Sequence, residues 1–434
     1  MKQEENERLT RVGKGTPMGE MMRRYWHPIC TSAELPEPDC DPLRTRLLGD
    51  DFVVFRDTAG KVGVLHELCM HRCASLAIGR VEEGGIRCLY HGWKFAVDGT
   101  IMETPNHPDP KFAQRMKAPA FPVVESAGLV WTYIGPKEHQ PPFRRFAFED
   151  VPDANRIVLR INVSANFLQL WEGGADTSHV TLLHSNYARP DWALSNGKKG
   201  AGVAEDLLVA AFNDTAPKLD IENTGFGFHY AGIRSEPGET STRRNVRVVP
   251  IFLPYGRIIP FRDFSTFVFE VPQDDEHTST YMIDAGPNMK MDLAERRKRS
   301  GLSDAFYRNN NFIASWDDRL AQDRESMRSR ESWTGFHGIS QEDAIISLSM
   351  GPRLDRTLEH LVPADAAVAR LRRRLLDSLR LVEEGKPPLA VLHEDMTQMR
   401  ACDTDWDITR PWQEITPEHR QHFPAEDAET AVNR

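Results

Sequence analysis

Two cysteine–histidine pairs constrain this chain of 434 residues more than any other feature. They are Cys69-Met70-His71 and Cys88-Leu89-Tyr90-His91, with sixteen residues between them. Metal donors act only when they converge, so the fold must hold two loops face to face. The surrounding sequence suits that task. Residues 45–48 and 52–55 flank Gly49-Asp50, a hairpin signal, and 61–65 and 129–134 are further β-rich runs. Both pairs fall in loops of this small all-β segment, close to Gly84-Gly85 and Gly92.

Ligand order separates the chemistries open to such a set. A zinc finger commonly takes its cysteines from one element and its histidines from another. Here each loop brings one thiolate and one imidazole. That order suits a Rieske [2Fe–2S] cluster, in which two thiolates hold one iron and two imidazoles the other. Neutral imidazoles make the cluster less negative, raise its potential and make it a good electron store. Cys69, His71, Cys88 and His91 are the expected ligands, and Cys73 is not needed. A structural zinc site is the competing reading.

A second constellation, Asp176-Thr177-Ser178-His179 and then His184, follows about 85 residues later. A mononuclear iron that activates dioxygen commonly uses two histidines and a carboxylate on one face, with open positions opposite. His179 and His184 are the candidate pair. On a regular helix over 166–187 their side chains diverge by roughly 140°, so the reading requires a π-bulge or break near Leu182-Leu183. Asp176 should share a helix face with His179. It is too close in sequence for a third ligand and better placed to accept a hydrogen bond from the distal nitrogen of a liganding histidine. Candidates for the third carboxylate are Asp317, Asp318, Asp323 and Glu325, all on a helix expected near 303–328.

The rest of the chain bounds the function class. A net charge of −10 argues against nucleic acid and anionic membranes as partners. No run reaches the ~18 apolar residues of a membrane span, and no apolar segment follows the first residues. The six cysteines show no disulfide framework, which suits a cytoplasmic protein. The expected fold class is α+β. It comprises an N-terminal cap segment (1–42), an all-β cluster domain (43–135), a Gly/Pro-rich linker (136–150), a catalytic domain (151–400) and a C-terminal tail (401–434). In the catalytic domain, strands expected at 157–163, 207–212, 226–233, 246–252, 264–271 and 280–283 make a large antiparallel sheet covered by helices. A helix near 365–384 presents Val368, Leu371, Leu375 and Leu379 to the core, with Asp365 as N-cap.

The runs Cys69-Met70-His71-Arg72-Cys73-Ala74-Ser75-Leu76 and Cys88-Leu89-Tyr90-His91-Gly92-Trp93-Lys94-Phe95 resemble the alpha, or terminal oxygenase, subunits of Rieske non-haem iron ring-hydroxylating oxygenases. The family usually has Gly where Cys73 stands. Asn166, Gln169, Glu172-Gly173 and Asp176 match the same pattern. The stretches Gln322-Asp323-Arg324-Glu325-Ser326-Met327, Gln341-Glu342-Asp343 and Ser349-Met350-Gly351-Pro352 look like the phthalate-dioxygenase-type branch. The resemblance runs from Gly15 to about residue 384. It implies a helix-grip, START-like catalytic domain in which His179, His184 and Asp323 hold iron(II), with Asp318 in reserve. It also implies that Asp176 bridges cluster and iron. Dioxygen would be the co-substrate. NADH would supply electrons through a flavin/iron–sulfur reductase, with or without a ferredoxin. Head-to-tail homotrimers or stacks of them are implied. The substrate would be a small aromatic acid, changed by cis-dihydroxylation, monooxygenation or O-demethylation, with Arg234, Arg244 or Arg247 meeting its carboxylate. The alternatives are a non-catalytic [2Fe–2S] carrier, which needs no second iron site, and a zinc-stabilised binding module.

Overall fold

The computed structural model describes residues 1–109, 111–188, 214–235 and 240–423. The chain divides into two compact units. One is Arg11–Phe143 with Val271–Asp275; the other is Met1–Thr10, Arg144–Glu270 and Glu276–Arg434. The division after Phe143 falls inside the expected linker. α1 (Gln3–Thr10) belongs to the larger unit and α2 (Pro17–Met22) to the smaller. Among the described residues no helix is long and apolar enough to cross a membrane.

The smaller unit carries three antiparallel sheets. β1 (Trp26–Thr31), β2 (Leu43–Leu47), β3 (Asp50–Arg56) and β4 (Val62–His66) come first. β5 (Arg80–Glu82), β6 (Gly85–Arg87), β7 (Lys94–Phe95) and β8 (Ile101–Glu103) follow, then β9 (Ala120–Phe121), β10 (Val123–Ser126) and β11 (Leu129–Tyr133). The sheet orders are β1-β11-β10, β2-β3-β4-β9 and β5-β6-β7-β8. Leu47 pairs with Asp50, so the β2–β3 loop is Leu48-Gly49, one residue earlier than the sequence signal suggested. Both loop residues have positive φ (51° and 84°), the geometry of a type I′ turn. β1 corrects the expected cap segment, since residues 26–31 are an integral edge strand. Pro28 hides it in the sequence and is tolerated at an edge, where the register shifts between Pro28 and Cys30.

The larger unit begins with β12 (Arg145–Phe146) and β13 (Arg156–Val163). β14 (Lys218–Thr224), β15 (Gly227–Arg234), β16 (Arg243–Phe252), β17 (Gly256–Pro260), β18 (Ser265–Pro272) and β19 (Thr278–Ala285) form a meander. β20 (Tyr307–Arg308), β21 (Asn311–Phe312), β22 (Asp395–Met396) and β23 (Cys402–Asp407) complete the strands. The large sheet runs β14-β15-β16-β17-β18-β19-β13-β21-β20. The short β17 covers only Ile251 and Phe252 of its neighbour, and β23 takes the rest of that edge, pairing with Arg243–Val248. Residues 402–407 are therefore sheet rather than tail. The strand expected at 207–212 lies outside the described residues. All the other expected strands form.

The helix expected near 303–328 does not form. Asn309 and Asn310 adopt left-handed φ values (48° and 62°) and turn β20 into β21. Arg319, Leu320 and Ala321 are left-handed as well, which leaves only a short helix at Arg324–Arg328. Asparagine tolerates that conformation better than most residues, and this favours a hairpin over a helix here. The helix at Ala366–Glu383 does form, with Val368, Leu371, Leu375 and Leu379 buried. The Asp365 carboxylate accepts from the Val362 N–H instead of capping it.

Each unit buries a neutral histidine. His27 Nε2 lies 2.9 Å from the Met22 carbonyl, and burial pulls its pKa down to about 3. His419 is also fully buried and is lowered to about 3, chiefly by burial and then by His229. Its Nδ1 accepts from the Arg400 N–H at 3.1 Å, so its proton sits on Nε2 and is donated to His229 Nδ1 at 2.9 Å. His229 Nε2–H then donates to Glu222 at 3.0 Å. This chain fastens the C-terminal segment to β15. Against an ordinary value of 6.5, folded values near 3 give full stability above about pH 6.5 and progressive loss as pH falls towards 3. The loss approaches about 1.4 kcal/mol per pH unit per group. Denaturant unfolding between pH 7.5 and 5.5 should show this slope. His419→Gln keeps a donor and an acceptor, so it should flatten the slope, and an unchanged slope would refute the assignment.

Candidate functional site

The two Cys-His loops close in the same way. Cys69 N–H donates to the Ala74 carbonyl (2.8 Å) and Cys73 N–H to the Cys69 carbonyl (2.9 Å). Cys88 N–H donates to the Trp93 carbonyl (2.8 Å) and Gly92 N–H to the Cys88 carbonyl (3.0 Å). The fourth residue after each cysteine is left-handed: Cys73 at φ 58° and Gly92 at φ 77°. This explains the glycine usual at position 73, because a side chain in that conformation costs about 1 kcal/mol. Cys69 and Cys88 are buried, and His71 and His91 are half-exposed. The imidazoles meet edge to face with centroids 4.5 Å apart, and Trp93 stacks on His71 at 5.0 Å.

This arrangement fits a cationic cluster. Burial is the main cause that pushes the Cys69 thiol up to about 11, and the facing Cys88 thiol adds to it. Such a thiol ionises readily only against positive charge. His91 Nδ1 is buried and takes no hydrogen bond, as a ligand atom would be.

The second constellation lies where a helix is interrupted twice. α3 (Phe167–Ala175) is capped at its start by Asn166 and ends on Asp176, whose backbone is extended (φ −94°, ψ 121°). α4 (His179–Leu182) is a single turn; Leu183 and His184 form a second break before α5 (Ser185–Ala188). The break falls where the five-residue spacing required one. Asp176 and His179 do not share a helix face, since the first bend separates them.

The bends aim both imidazoles at a third element. The chain passes through α6 (Leu293–Arg299) and α7 (Arg324–Arg328) to α8 (Ile339–Ser349), which carries Glu342 and Asp343. His184 Nε2 is 3.1 Å, and His179 Nε2 3.7 Å, from Asp343 Oδ1. One donor atom from each of His179, His184 and Asp343 lies within 4.8 Å of the other two. At the far nitrogens, His184 Nδ1 lies 2.7 Å from Glu342 Oε2, and His179 Nδ1 is 3.4 Å from Asp176 Oδ2. The latter is a charge contact rather than an aligned hydrogen bond. Asp176 Oδ1 accepts from both the N–H and the hydroxyl of Ser178 at 2.7 Å.

Three carboxylates around two imidazoles call for a cation. Burial pulls the His184 pKa down, but Asp343 and Glu342 outweigh it and push it up to about 10. Burial raises the Asp176 carboxyl, yet His179 and Ser178 hold it down at about 2. The donor set of two imidazoles and one carboxylate is that of a non-haem iron(II) site.

Asp323 is not part of this group, and the sequence-based choice of it is corrected. It is the exposed N-cap of α7, with its Oδ1 accepting the N–H groups of Glu325 and Ser326 at 3.0 Å each. Asp318 in the same way caps its own turn at Ser315, and Asp317 and Glu325 are exposed. The sequence did hold a signal for Asp343. Asp343 is followed directly by the apolar run Ala344-Ile345-Ile346, whereas Asp323 sits among charged and polar neighbours.

A cavity of about 450 Å³ opens above these donors. The sheet lines it with Ile161, Val163, Tyr230, Val249, Ile259 and Met282. Arg247 and Arg257 also face it. Arg257 Nη1 pairs with Glu270 at 2.7 Å, and a Cβ on Gly174 would collide with it at 2.2 Å. The three arginines considered from the sequence part company here. Arg234 is buried and spends its Nη2 on Thr177 (2.8 and 2.9 Å), and Arg244 is half-buried, with its Nε donating to Ser235 at 2.9 Å. Arg247 lines the cavity and its Nη1 pairs with Asp403 at 2.6 Å.

Comparison with known proteins extends the geometry. Residues 25–122 match the family model of the Rieske [2Fe-2S] domain, and 132–431 the one described as LigXa C-terminal domain like. The chain is 35% identical to the phthalate 4,5-dioxygenase oxygenase subunit of Pseudomonas putida over 93% of each chain. It is 34% identical to the 3-chlorobenzoate-3,4-dioxygenase oxygenase subunit of Comamonas testosteroni, over 87% of this chain and 89% of that one. Dicamba monooxygenase bound to dicamba shares the fold, with a TM-score of 0.58 at 16% identity over 84% of this chain and 99% of that one. Similarity along nearly the whole length leaves no room for an isolated electron carrier or a zinc module: the chain belongs to the Rieske aromatic ring-hydroxylating oxygenases, as an alpha, or terminal oxygenase, subunit.

Proposed function

We propose that Cys69 and Cys88 hold one iron of the cluster, that His71 and His91 hold the other, and that His179, His184 and Asp343 hold a mononuclear iron(II). The convergence of three donors beneath an apolar cavity carries this reading. When bound, the two groups supply stored electrons and reductive activation of dioxygen. The chain's own residues do the rest. The ligands occupy one side and leave the cavity side open. The apolar walls exclude water and hold a planar ring. An NADH-dependent flavin/iron–sulfur reductase delivers electrons, which puts the reaction in the cytoplasm.

The substrate is a small aromatic acid, hydroxylated on its ring. Arg247 supports this choice. Asp403 holds its Nη1, and no described residue takes its Nε or Nη2. A carboxylate can therefore approach a guanidinium already fixed in place.

The active form is a head-to-tail trimer or a stack of trimers. Such a ring sets the cluster of one subunit against the iron of the next, with Asp176 between His179 and a cluster imidazole. Two observations support it. Leu68, Met70, Leu89 and Tyr90 form an exposed apolar rim around the cluster loops, and Asp176 keeps part of its surface open.

Three measurements test the proposal. Asp343→Asn should lose the mononuclear iron and all turnover while the cluster stays reducible, and Asp323→Ala should keep both; the reverse result would restore Asp323 as the ligand. Arg247→Ala should raise KM for aromatic acids about 10- to 100-fold, the loss of one charged hydrogen-bond partner, with little change for the corresponding amides. Equal KM values for acids in wild type and variant would remove the carboxylate anchor. Co-expressed His91→Ala and Asp343→Asn chains, each inactive alone, should recover activity in mixed oligomers, and no recovery would place the transfer within one subunit.

A further inference from the structure

We propose that Glu342 is the positioning residue of His184, fixing the imidazole proton on Nδ1 and turning the Nε2 lone pair towards Asp343 and the metal. The proposal rests on the reading of His179, His184 and Asp343 as a metal site. Two consecutive carboxylates of α8 straddle one imidazole: Glu342 lies 2.7 Å from Nδ1, and Asp343 3.1 Å from Nε2.

Hydrogen-bond polarity fixes the direction. The Phe336 N–H donates to Thr334 Oγ1 at 3.2 Å, which leaves the Thr334 hydroxyl proton for Glu342 Oε1 at 2.6 Å. The other oxygen, Oε2, is left to accept from His184. Glu342 is wholly buried and meets no Lys or Arg among the described residues. A carboxylate so placed is costly unless its imidazole partner and a cation beyond it answer the charge. The two histidines are therefore held unequally. His184 has a buried, doubly anchored acceptor, and His179 has the partly open Asp176 at 3.4 Å. Carboxylate partners of this kind set ligand orientation and basicity.

The test uses full-length protein with its cluster intact and its mononuclear metal removed, titrated with cobalt(II) in equilibrium dialysis. Wild type should bind one cobalt per chain and Asp343→Asn none; if wild type binds none, the metal site itself fails. Glu342→Leu should bind about 10- to 100-fold more weakly. Glu342→Gln should stay within about threefold of wild type, because its amide oxygen still accepts from Nδ1–H. A merely structural role would lower the unfolding temperature of Glu342→Leu and leave the affinity of the folded protein at the wild-type value, which would overturn the proposal. A second measurement needs no folded Leu variant. In the proton spectrum of the cobalt protein, the Nδ1–H of His184, identified by its shift in Glu342→Gln, should exchange with solvent more slowly than that of His179. Equal exchange rates would overturn the proposal as well.

Discussion

The larger unit is organised around an excess of negative charge that only a cation can relieve. Asp176, Glu342 and Asp343 crowd two imidazoles at the base of an apolar cavity. The nearby arginines make no ion pair with this group: Arg257 pairs with Glu270, Arg234 donates to Thr177, and Arg247 pairs through Nη1 with Asp403. Like charges in a low-dielectric setting repel strongly and drive one another to protonate. A fold that keeps them together must hold each on a rigid support. α3 has such a support in a buried ion network. Glu172 binds Arg356 at 2.7–3.1 Å and Arg372 at 2.6 Å, and Arg372 also binds Glu359. Removing one partner from a network of this kind costs about 3–5 kcal/mol. Glu172 lies one turn before Asp176 and accepts its N–H through the backbone carbonyl, so the network also sets where the helix stops.

The cluster loops were legible because their constraint is local. Each uses a cysteine, a histidine two or three residues on, and a left-handed residue at the fourth position, all within one short window. His179 and His184 were legible for the same reason, even to the need for a break between them. The third carboxylate was not. It arrives from a helix about 160 residues away, and sequence offers many acidic residues at such distances. Asp323 and Asp343 differ in what surrounds them rather than in spacing. One caps a surface turn and the other lies next to buried Ala344 and Ile345. The expected helix over 303–328 added to the error, because it gathered four acidic residues onto one element that does not form as a continuous helix. Asn309-Asn310 was the overlooked sign of a turn, whereas Arg319-Leu320-Ala321, left-handed in the structure, carries no turn residue.

The C-terminal segment shows how a distant stretch of chain can shape the site. β23 fills the edge of β16 that the short β17 leaves open, and in that register Arg247 lies opposite Asp403. An arginine facing an apolar cavity without a partner would be costly to bury and free to move. Pairing Nη1 with Asp403 meets most of that desolvation cost before any ligand arrives, and it holds the guanidinium plane in one orientation. Nε and Nη2 are left without a partner among the described residues, and two parallel donors are the geometry a carboxylate would take best. On the same sheet face, Val249 and Ile259 give the ring of a ligand an apolar bed. If a ligand's carboxylate met Arg247 and its ring lay on those side chains, it would have little freedom left to rotate. The part of the ring presented to His179, His184 and Asp343 is then decided by the distance between the arginine and the metal donors, a distance set jointly by the register of β23 on β16 and by the point at which α3 ends.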